Sequence, residues 1–446
     1  MLQAEVMMEN DIPREVMSRL LKIHWVWIAP MFMWVYRPAF VRDMMTGGQY
    51  YSPLLLTVMC GHAARFHEGK LGEMLIARAR LLLGTEIHRP SSITTVQALL
   101  QLSARDLAYG HVSQAWTYSG MAFRMVSDLG LRHSSGSILS LGHLNAEDLE
   151  IRRRLFWSSY FWDKAMSLYL GRTPALIELP SVHAPELLDD YAEYALWSPE
   201  DPGPNAEEAP SASYHPLKAY TISCFVNSCK LAVIISDIIV LLYSRTPGDD
   251  ADSTLRGIRD RLDEWRALSP DHLKLQPDNF PNICPPPHII SQKQASDSAE
   301  KILLSLEQAY GFSKVSYLMA YCIYTSASVM VQDAKAGDSL ASRKKDTFLR
   351  ALNTAAKTCQ LIQRSLDIIM DSLNAETPSI TPAKPHPATE NLLNRHYLPA
   401  FPYRDTHMNI NPSATVDGVD INGPSMLDCF PEQHMASSTG DWYMPS

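Results

Sequence analysis

The chain has 446 residues, a hydrophobic fraction of 46% and a formal net charge of −9. This hydrophobic content can build one large core or several smaller ones, and it excludes a wholly disordered chain. An acidic chain is repelled by phosphate at long range, so the charge disfavours direct DNA binding by this chain alone. The seven cysteines are irregularly spaced, which favours buried thiols over a disulfide framework. The first residues show no signal-peptide pattern.

Helical periodicity dominates the first half of the chain, and no run of alternating strand pattern is convincing. Pro30 and Pro38 are expected to interrupt the chain after the first helix, and Gly84 is expected to end the third. The predicted helices are 14–28, 53–67, 71–83, 93–109, 112–129 and 146–170. The short connection between 93–109 and 112–129 predicts an antiparallel helical hairpin.

Capping signals support three of these boundaries. Ser91 or Ser92 can cap the helix that begins near residue 93. Gly130 lies where a left-handed residue would end the helix 112–129. Asn145 with Asp148 three residues later resembles a capping box at the start of an aromatic-rich helix.

In the second half, a polar stretch rich in Pro and Ala predicts a linker or insertion at 199–216. It divides one helical domain into an N-terminal part, 1–198, and a C-terminal part, 217–374. The helices predicted in the C-terminal part are 217–244, 252–268, 298–333 and 338–374, with a long loop at 269–291. The predicted fold is therefore all-α, a large multi-helix domain of antiparallel helix pairs, followed by a disordered tail at 375–446.

Two apolar stretches, 23–36 and 231–243, are too short for the roughly 20 residues that a membrane span needs, so both are predicted to be buried helices. The end of the tail has acidic residues interspersed with aromatic ones and no Lys or Arg after Asn411. This composition fits either an ordinary disordered terminus or a short activation-type segment that inserts aromatic side chains into a partner.

No metal or redox site is predicted. On a helix, Cys60 and His67 share a face, but His62 points elsewhere, so the three cannot chelate one ion. Cys224 and Cys229 are five residues apart and lie on different sides of a helix. We therefore interpret these side chains as core residues.

Two short basic runs and one ion pair have ordinary explanations. The acidic first turn before Arg152, Arg153 and Arg154 is expected to neutralise at least two of these arginines. The run 343–345 is interpreted as a solvated helix face rather than an import signal. Asp163 and Lys164 are expected to satisfy each other. Enzyme motifs are absent, so no catalytic and no cofactor-binding residue is predicted.

Four stretches carry a family resemblance: HWVWIAPMFMWVYRPAF (24–40), YSPLLLTVMCGHAARF (51–66), SSITTVQALLQLSARDLAYGHVSQAWTYSGMAFRMVSDLGLRH (91–133) and EDLEIRRRLFWSSYFWDKAMSLYLGRTPALI (147–177). Together they resemble the fungal-specific transcription factor domain, the middle homology region of zinc binuclear cluster regulators. Its character is close to that of the nitrogen-assimilation and xylanolytic-activator members. The resemblance implies a helical fold, a nuclear location and control of RNA polymerase II transcription.

Members of that family carry two zinc ions in an N-terminal cluster of six cysteines, whereas this sequence has one cysteine before residue 200. No cofactor is therefore expected in this chain, and DNA is a partner only if a missing zinc cluster is restored. Either the chain is a fragment or truncated gene model, or it regulates without its own DNA reader. The resemblance also implies contacts with the transcription machinery or regulatory proteins, and it leaves a homodimer open.

An interior pocket for a small-molecule effector is a further hypothesis, with the region around 25–45 and the aromatic helix at 156–169 as its walls. Two other functional classes remain as alternatives. A helical interaction scaffold would fit the helix pairs, although no repeat period of about 34 residues is found. A helical enzyme is a remote alternative, because no acidic metal-binding motif is evident.

Overall fold

Helices joined by short connections make up nearly all of the described chain. The computed structural model describes residues 12–66, 68–132, 144–178, 190–199, 215–243, 251–274, 284–290, 299–312 and 314–374. The helices of the N-terminal half are α1 (Arg14–Ile23), α2 (Ala29–Phe32), α3 (Arg37–Thr46), α4 (Pro53–Ala64), α5 (Gly69–Glu86), α6 (Ile93–Ala108), α7 (Val112–Asp128) and α8 (Ala146–Leu170). Those of the C-terminal half are α9 (Asp190–Tyr194), α10 (Thr221–Tyr243), α11 (Ala251–Leu268), α12 (Pro287–Ile290), α13 (Ala299–Tyr310), α14 (Tyr317–Lys335), α15 (Ser339–Ala356) and α16 (Leu361–Asn374). The all-α prediction is confirmed.

The predicted helix 14–28 is not a regular α-helix over its whole length. α1 continues into a π-helical turn, His24–Ile28, and the amide of Ala29 donates to the carbonyl of His24, five residues back. Pro30 has no amide proton, so it cannot donate to the carbonyl of Val26, four residues back. The turn therefore leaves a backbone acceptor available for another partner.

Pro38 does not interrupt the chain as predicted, because it lies in the first turn of α3, where its missing N–H costs nothing. The sequence pattern did not predict α3. Gly84 does not end α5 either, since that helix runs on to Glu86 and the space beside Gly84 is open. A solvent-facing glycine is tolerated inside a helix at a modest entropic cost.

The N-terminal core is built from antiparallel pairs, and α4 lies at its centre. Every residue of α4 after Pro53 is buried, and the helix packs against α1, α5 and α6. α6 packs along α7, as the hairpin prediction required. The hydroxyl of Ser92 accepts from the amide of Thr95 at 3.1 Å, which identifies the cap of α6. Gly130 has a φ of 62°, which confirms the left-handed end of α7.

α8 begins with the predicted capping box. The amide of Asp148 donates to the Asn145 side chain at 2.8 Å, and the amide of Asn145 donates back to the carboxylate of Asp148 at 3.0 Å. Because α8 is covered by α10 on one side and by α6 and α7 on others, aromatic side chains can be buried around much of its circumference.

Two short strands contradict the expectation of no strand pattern. β1 (Leu196–Trp197) and β2 (Leu217–Lys218) pair antiparallel, with Leu196 opposite Lys218 and Trp197 opposite Leu217. The helix predicted from residue 217 therefore starts only at Thr221, because the residues before it pair with β1. Residues 200–214, most of the predicted linker, lie outside the described residues.

α10 is longer and more apolar than the stretch 231–243 suggested. Its segment Thr221–Val240 has 20 residues with a mean hydropathy of 1.7, enough by length and composition to cross a membrane. The helix instead packs along α8, and Cys229 and Ala232 are fully buried in that contact region. A core helix passes the same length and composition test, so this observation is weak support for a membrane span.

The C-terminal half contains shorter helices than predicted. The stretch 298–333 is divided into α13 and α14 around Gly311, which has a φ of 68°, and Ser316 caps α14. The stretch 338–374 is divided into α15 and α16 by a turn at 357–360. The predicted loop 269–291 contains a 3₁₀ turn, Asp271–Leu273, and α12. The predicted disordered tail lies outside the described residues, and the proposed division into domain parts stays a prediction.

Aromatic side chains connect the two halves at one point in the core. The indole of Trp162 is fully buried and lies edge-on to Phe32, Trp34 and Tyr317, with ring centroids 5.5, 5.7 and 6.2 Å away. Its Nε1 donates to the hydroxyl of Ser103 at 3.1 Å. This junction ties α2, α6 and α8 to α14.

Candidate functional site

A cavity of about 300 Å³ lies between the N-terminal segment and the β1–β2 ribbon. Its lining residues come from four places: the stretch from Lys22 to Pro38, Arg154 of α8, the stretch from Tyr191 to Ser198, and the stretch from Ala219 to Thr221. This volume is at the lower end of the ~300–1,000 Å³ range of small-molecule sites.

The π-helical turn and β1 meet at a hydrogen bond beside this cavity. Nε1 of Trp197 donates to the carbonyl of Val26 at 3.0 Å, the acceptor that Pro30 cannot use. The indoles of Trp27 and Trp197 also pack edge-on, with centroids 5.4 Å apart. A π-helical turn is rare and often occurs at functional sites. Here a backbone carbonyl of the turn, that of Val26, accepts a hydrogen bond from the side chain of Trp197, which lies 171 residues later in the chain.

Backbone strain is concentrated around the same cavity. Met33, a lining residue, has a φ of 52°, and Tyr220, between the lining residues Ala219 and Thr221, has a φ of 49°. Within the described part of the chain, these are the two non-glycine residues with positive φ. Each such conformation costs on the order of 1–3 kcal/mol and persists only where the surrounding contacts impose it.

The contacts that impose these conformations are visible. The amide of Met33 donates to the carbonyl of Ala29 at 2.8 Å. The amide of Tyr220 donates to the carbonyl of Glu193 at 2.9 Å. The ring of Tyr220 stacks on His272 at 4.1 Å between centroids. The contact with the end of α2 thus keeps Met33 in its strained conformation on one wall, and the contact with the α9 region keeps Tyr220 in its strained conformation on the other.

The charged lining residues are all cationic. They are Lys22, Arg37 and Arg154, and no Asp or Glu is among the lining residues. Arg154 is buried, with its Nε 2.8 Å from Oε1 of Glu150 and its guanidinium 4.7 Å above the ring of Tyr36. Lys22 and Arg37 are exposed at the cavity, so its mouth is positively charged while its walls are largely apolar.

The expected walls are only partly those found. Residues from Trp25 to Pro38 do line the cavity, whereas the aromatic stretch 156–169 of α8 contributes nothing to the lining. That stretch lies away from this cavity, because Trp162 and its neighbours face the core. The contribution of Trp197 was missed, since a two-residue strand beside a Pro-rich stretch leaves no periodic signal in the sequence.

The pair Asp163–Lys164 is fully buried and self-satisfied, as expected. The ammonium of Lys164 lies 2.8 Å from the carboxylate of Asp163 and also donates to the carbonyl of Leu176. The same carboxylate accepts from the amides of Ala175 and Leu176 at 3.0 and 2.9 Å. Burial lowers the pKa of Lys164, and the neighbouring carboxylate opposes that shift. The pair fixes the chain that leaves α8.

The cysteines and histidines considered for metal binding are core residues where the structure describes them. Cys60 and His62 are buried in α4, and burial raises the pKa of the Cys60 thiol to about 12. His67 lies outside the described residues. Cys224 donates to the carbonyl of His288 at 3.1 Å, whereas Cys229 faces α8. No group of three metal-ligand side chains occurs among the residues described.

Three histidines among the described residues, His24, His62 and His288, are buried, and burial lowers the pKa of each. Nε2 of His24 lies 2.7 Å from the side-chain oxygen of Gln101, and burial lowers the pKa of His24 to about 4. Nε2 of His288 lies 2.7 Å from the carbonyl of Ala219, and burial lowers its pKa to about 4 as well.

One acid of the first turn, Glu150, contacts two of the three arginines of the run in α8. Glu150 lies 2.8 Å from Arg154 and 3.5 Å from Arg153, and Arg152 donates to the carbonyl of Leu129. Asp148, another acid of this first turn, accepts hydrogen bonds from Tyr50 and Gln49. The run is therefore structural and does not form a free basic patch.

Comparison with known proteins gives a consistent result. The sequence model of the fungal specific transcription factor domain matches residues 21–267. The nitrogen assimilation transcription factor nirA of Emericella nidulans is 28% identical over 71% of this chain and 40% of its own length. The nitrogen assimilation transcription factor nit-4 of Neurospora crassa is 29% identical over 60% of this chain and 26% of its own length. An uncharacterized transcriptional regulatory protein of Schizosaccharomyces pombe is 25% identical over 82% of this chain and 64% of its own length.

These matches span between 26% and 64% of the relatives' own lengths. The matched family region ends within α11, so α12 to α16 lie beyond it. No solved structure matches the chain. The resemblance inferred from the four sequence stretches, including its nitrogen-assimilation character, is confirmed by these matches.

Proposed function

The chain belongs to the fungal specific transcription factor domain family, and on that premise we propose that it is the regulatory helical body of a nuclear transcription regulator. In this proposal it controls RNA polymerase II transcription through effector or partner-protein contacts. DNA recognition is assigned to a zinc cluster that the printed sequence does not contain. The relatives named above are described as transcription factors or regulators, which supports this proposal.

One observation carries the regulatory part of the proposal: the cavity is bordered by the π-helical turn and by both strained residues, Met33 and Tyr220. An occupant that touches both walls would change the free energy of one arrangement of these walls relative to another. A ligand shifts a conformational equilibrium only by such differential binding. The cavity is therefore where we expect an effector to control the helical body.

The test uses the full chain fused to a heterologous DNA-binding domain upstream of a reporter gene. Ala195→Trp places an indole in the cavity, because Ala195 is a lining residue. Ala77→Trp is the matched control, since Ala77 is exposed on α5 and lies outside the cavity. We expect Ala195→Trp to change reporter output by about fivefold or more, the lower end of typical coupling between sites. Ala77→Trp should leave it unchanged.

Immunoblots and thermal melts of both variants separate altered regulation from altered abundance. If Ala195→Trp is as abundant and as stable as Ala77→Trp and both give the unmodified output, the cavity does not regulate transcription. If the fusion never changes reporter output relative to the DNA-binding domain alone, the proposal of a transcription regulator is contradicted.

The two alternative functions gain no specific support. None of the relatives named above is described as an enzyme, so an enzyme is unsupported. A helical scaffold without effector control would give the same reporter output with and without the cavity substitution, so the same experiment separates it from the proposal. Dimerisation stays a prediction.

A further inference from the structure

We infer that the occupant of the cavity is a small organic carboxylate with an apolar, ring-sized body, and that Lys22 and Arg37 receive its carboxylate group. The inference rests on the proposed function, because it names the chemical class of the effector. Its starting point is the contrast between the cations of the cavity and the net charge of −9 of the whole chain.

The charge of the lining favours an anion. Of its three cations, Arg154 is already paired with Glu150 at 2.8 Å, so Lys22 and Arg37 are the cations that face an incoming ligand. The nearby carboxylate of Glu193 accepts from the amide and the hydroxyl of Ser223, at 3.0 and 2.6 Å, and is not a lining group. An anion therefore meets no lining carboxylate, whereas an amine would meet two uncompensated cations.

The walls define the rest of the ligand. Trp25, Tyr36 and Trp197 supply aromatic surfaces, and Ala29 and Ala195 leave room between them. Arg37 lies 5.6 Å from the centre of the Trp25 ring, so the charged and aromatic parts of the site adjoin. A planar ring can stack in such a site while its carboxylate stays at the mouth. The volume of about 300 Å³ fits a small organic molecule.

The ligand would bridge two parts of the chain that are far apart in sequence. Lys22 and Arg37 flank the π-helical turn, whereas Trp197 belongs to β1, and the bond from Trp197 to the carbonyl of Val26 joins the two walls. A carboxylate held by the first wall with its ring against the second would favour the arrangement in which this bond is formed. The ligand would therefore bind this arrangement of the walls more tightly than others, and effector control requires such a difference in affinity.

The experiment titrates the purified full chain with matched compounds by isothermal calorimetry at low and moderate salt. The probes are a carboxylate, a primary amide and an amine on each of three skeletons: phenyl, naphthyl and indolyl. We expect the carboxylate of at least one skeleton to bind roughly fivefold or more tightly than its amide, as two partly exposed cations allow. The amine should bind weakest, and added salt should reduce the preference.

Three variants locate the carboxylate. Lys22→Gln and Arg37→Gln should each reduce the preference for carboxylate over amide while the amide affinity stays unchanged. Lys70→Gln, an exposed lysine at the start of α5 that does not line the cavity, should leave both affinities unchanged. Ala195→Trp should abolish binding of every skeleton, which assigns the binding to this cavity.

The outcomes distinguish this inference from the proposed function. If amides or amines bind as tightly as carboxylates, or if no compound binds while Ala195→Trp still changes reporter output, the ligand class is wrong and the regulatory proposal stands. If carboxylates bind as expected but Ala195→Trp leaves the reporter unchanged, the ligand class stands and the regulatory role is overturned.

Discussion

Replacing Asp163 with alanine should strongly destabilise the fold. The side chains of Asp163 and Lys164 are both fully buried, so the substitution leaves an ammonium group in the interior without its counter-ion. It also removes the acceptor of the amides of Ala175 and Leu176. Removing one partner of a buried pair costs about 3–5 kcal/mol. The free energy of unfolding, measured by urea titration with far-UV circular dichroism, should fall by about that amount.

The reasoning requires that most of this cost come from the unpaired charge. Lys164→Met should therefore recover part of the loss when combined with Asp163→Ala, so that the double variant costs less than the sum of the single variants by about 0.5–3 kcal/mol. Asp333→Ala, which changes an exposed aspartate of α14, is the control and should stay within about 0.5 kcal/mol. The argument is refuted if the losses in the free energy of unfolding of the two single variants simply add in the double variant. It is also refuted if Asp163→Ala costs less than about 1 kcal/mol.

Three further predictions concern stability. Asn145→Ala removes the acceptor of the capping box and should lower the free energy of unfolding by about 1 kcal/mol; an unchanged urea midpoint would contradict the cap. Gly48→Ala would place a methyl group 2.3 Å from Cγ of Asp43 and should lower the melting temperature, whereas Gly84→Ala, in open space, should stabilise by up to about 1 kcal/mol; the opposite order would contradict the packing. Burial holds the pKa of His288 at about 4, below the ordinary 6.5, so its contribution is complete above pH 6.5 and is lost as pH falls towards 4. His288→Gln should flatten the pH dependence of unfolding in that window, and an unchanged slope would show that this histidine does not titrate as described.

The sequence predicts local features of this fold well. The caps at Ser92 and Asn145 follow from short-range chemistry, in which a side-chain oxygen meets an amide three residues later. The breaks between α13 and α14 and between α15 and α16 escaped prediction, because the apolar periodicity continues across both. Propensity cannot locate such breaks, since tertiary packing decides whether a periodic stretch bends.

The cavity could be predicted only in part, for a related reason. The unusual composition around Trp25 and Pro30 pointed to one wall, and Pro30 explains why no amide four residues later donates to the carbonyl of Val26. The other wall depends on Trp197, which reaches that carbonyl from 171 residues away. A contact of this sequence separation leaves no pattern in a single chain, and neither do the backbone angles of the two strained residues.

The end of α4 has a consequence for the order of events during synthesis. Arg65, just after α4, is buried and donates to the carbonyl of Thr358, 293 residues later. At about 5–20 residues per second, a ribosome needs about 15–60 s to produce that partner after Arg65 is made. During this interval the N-terminal helices can form, but the guanidinium stays hydrated and its site open. A nascent chain halted before residue 358 would therefore leave a cation beside an unfilled gap in its core, a surface that chaperones and proteases can recognise.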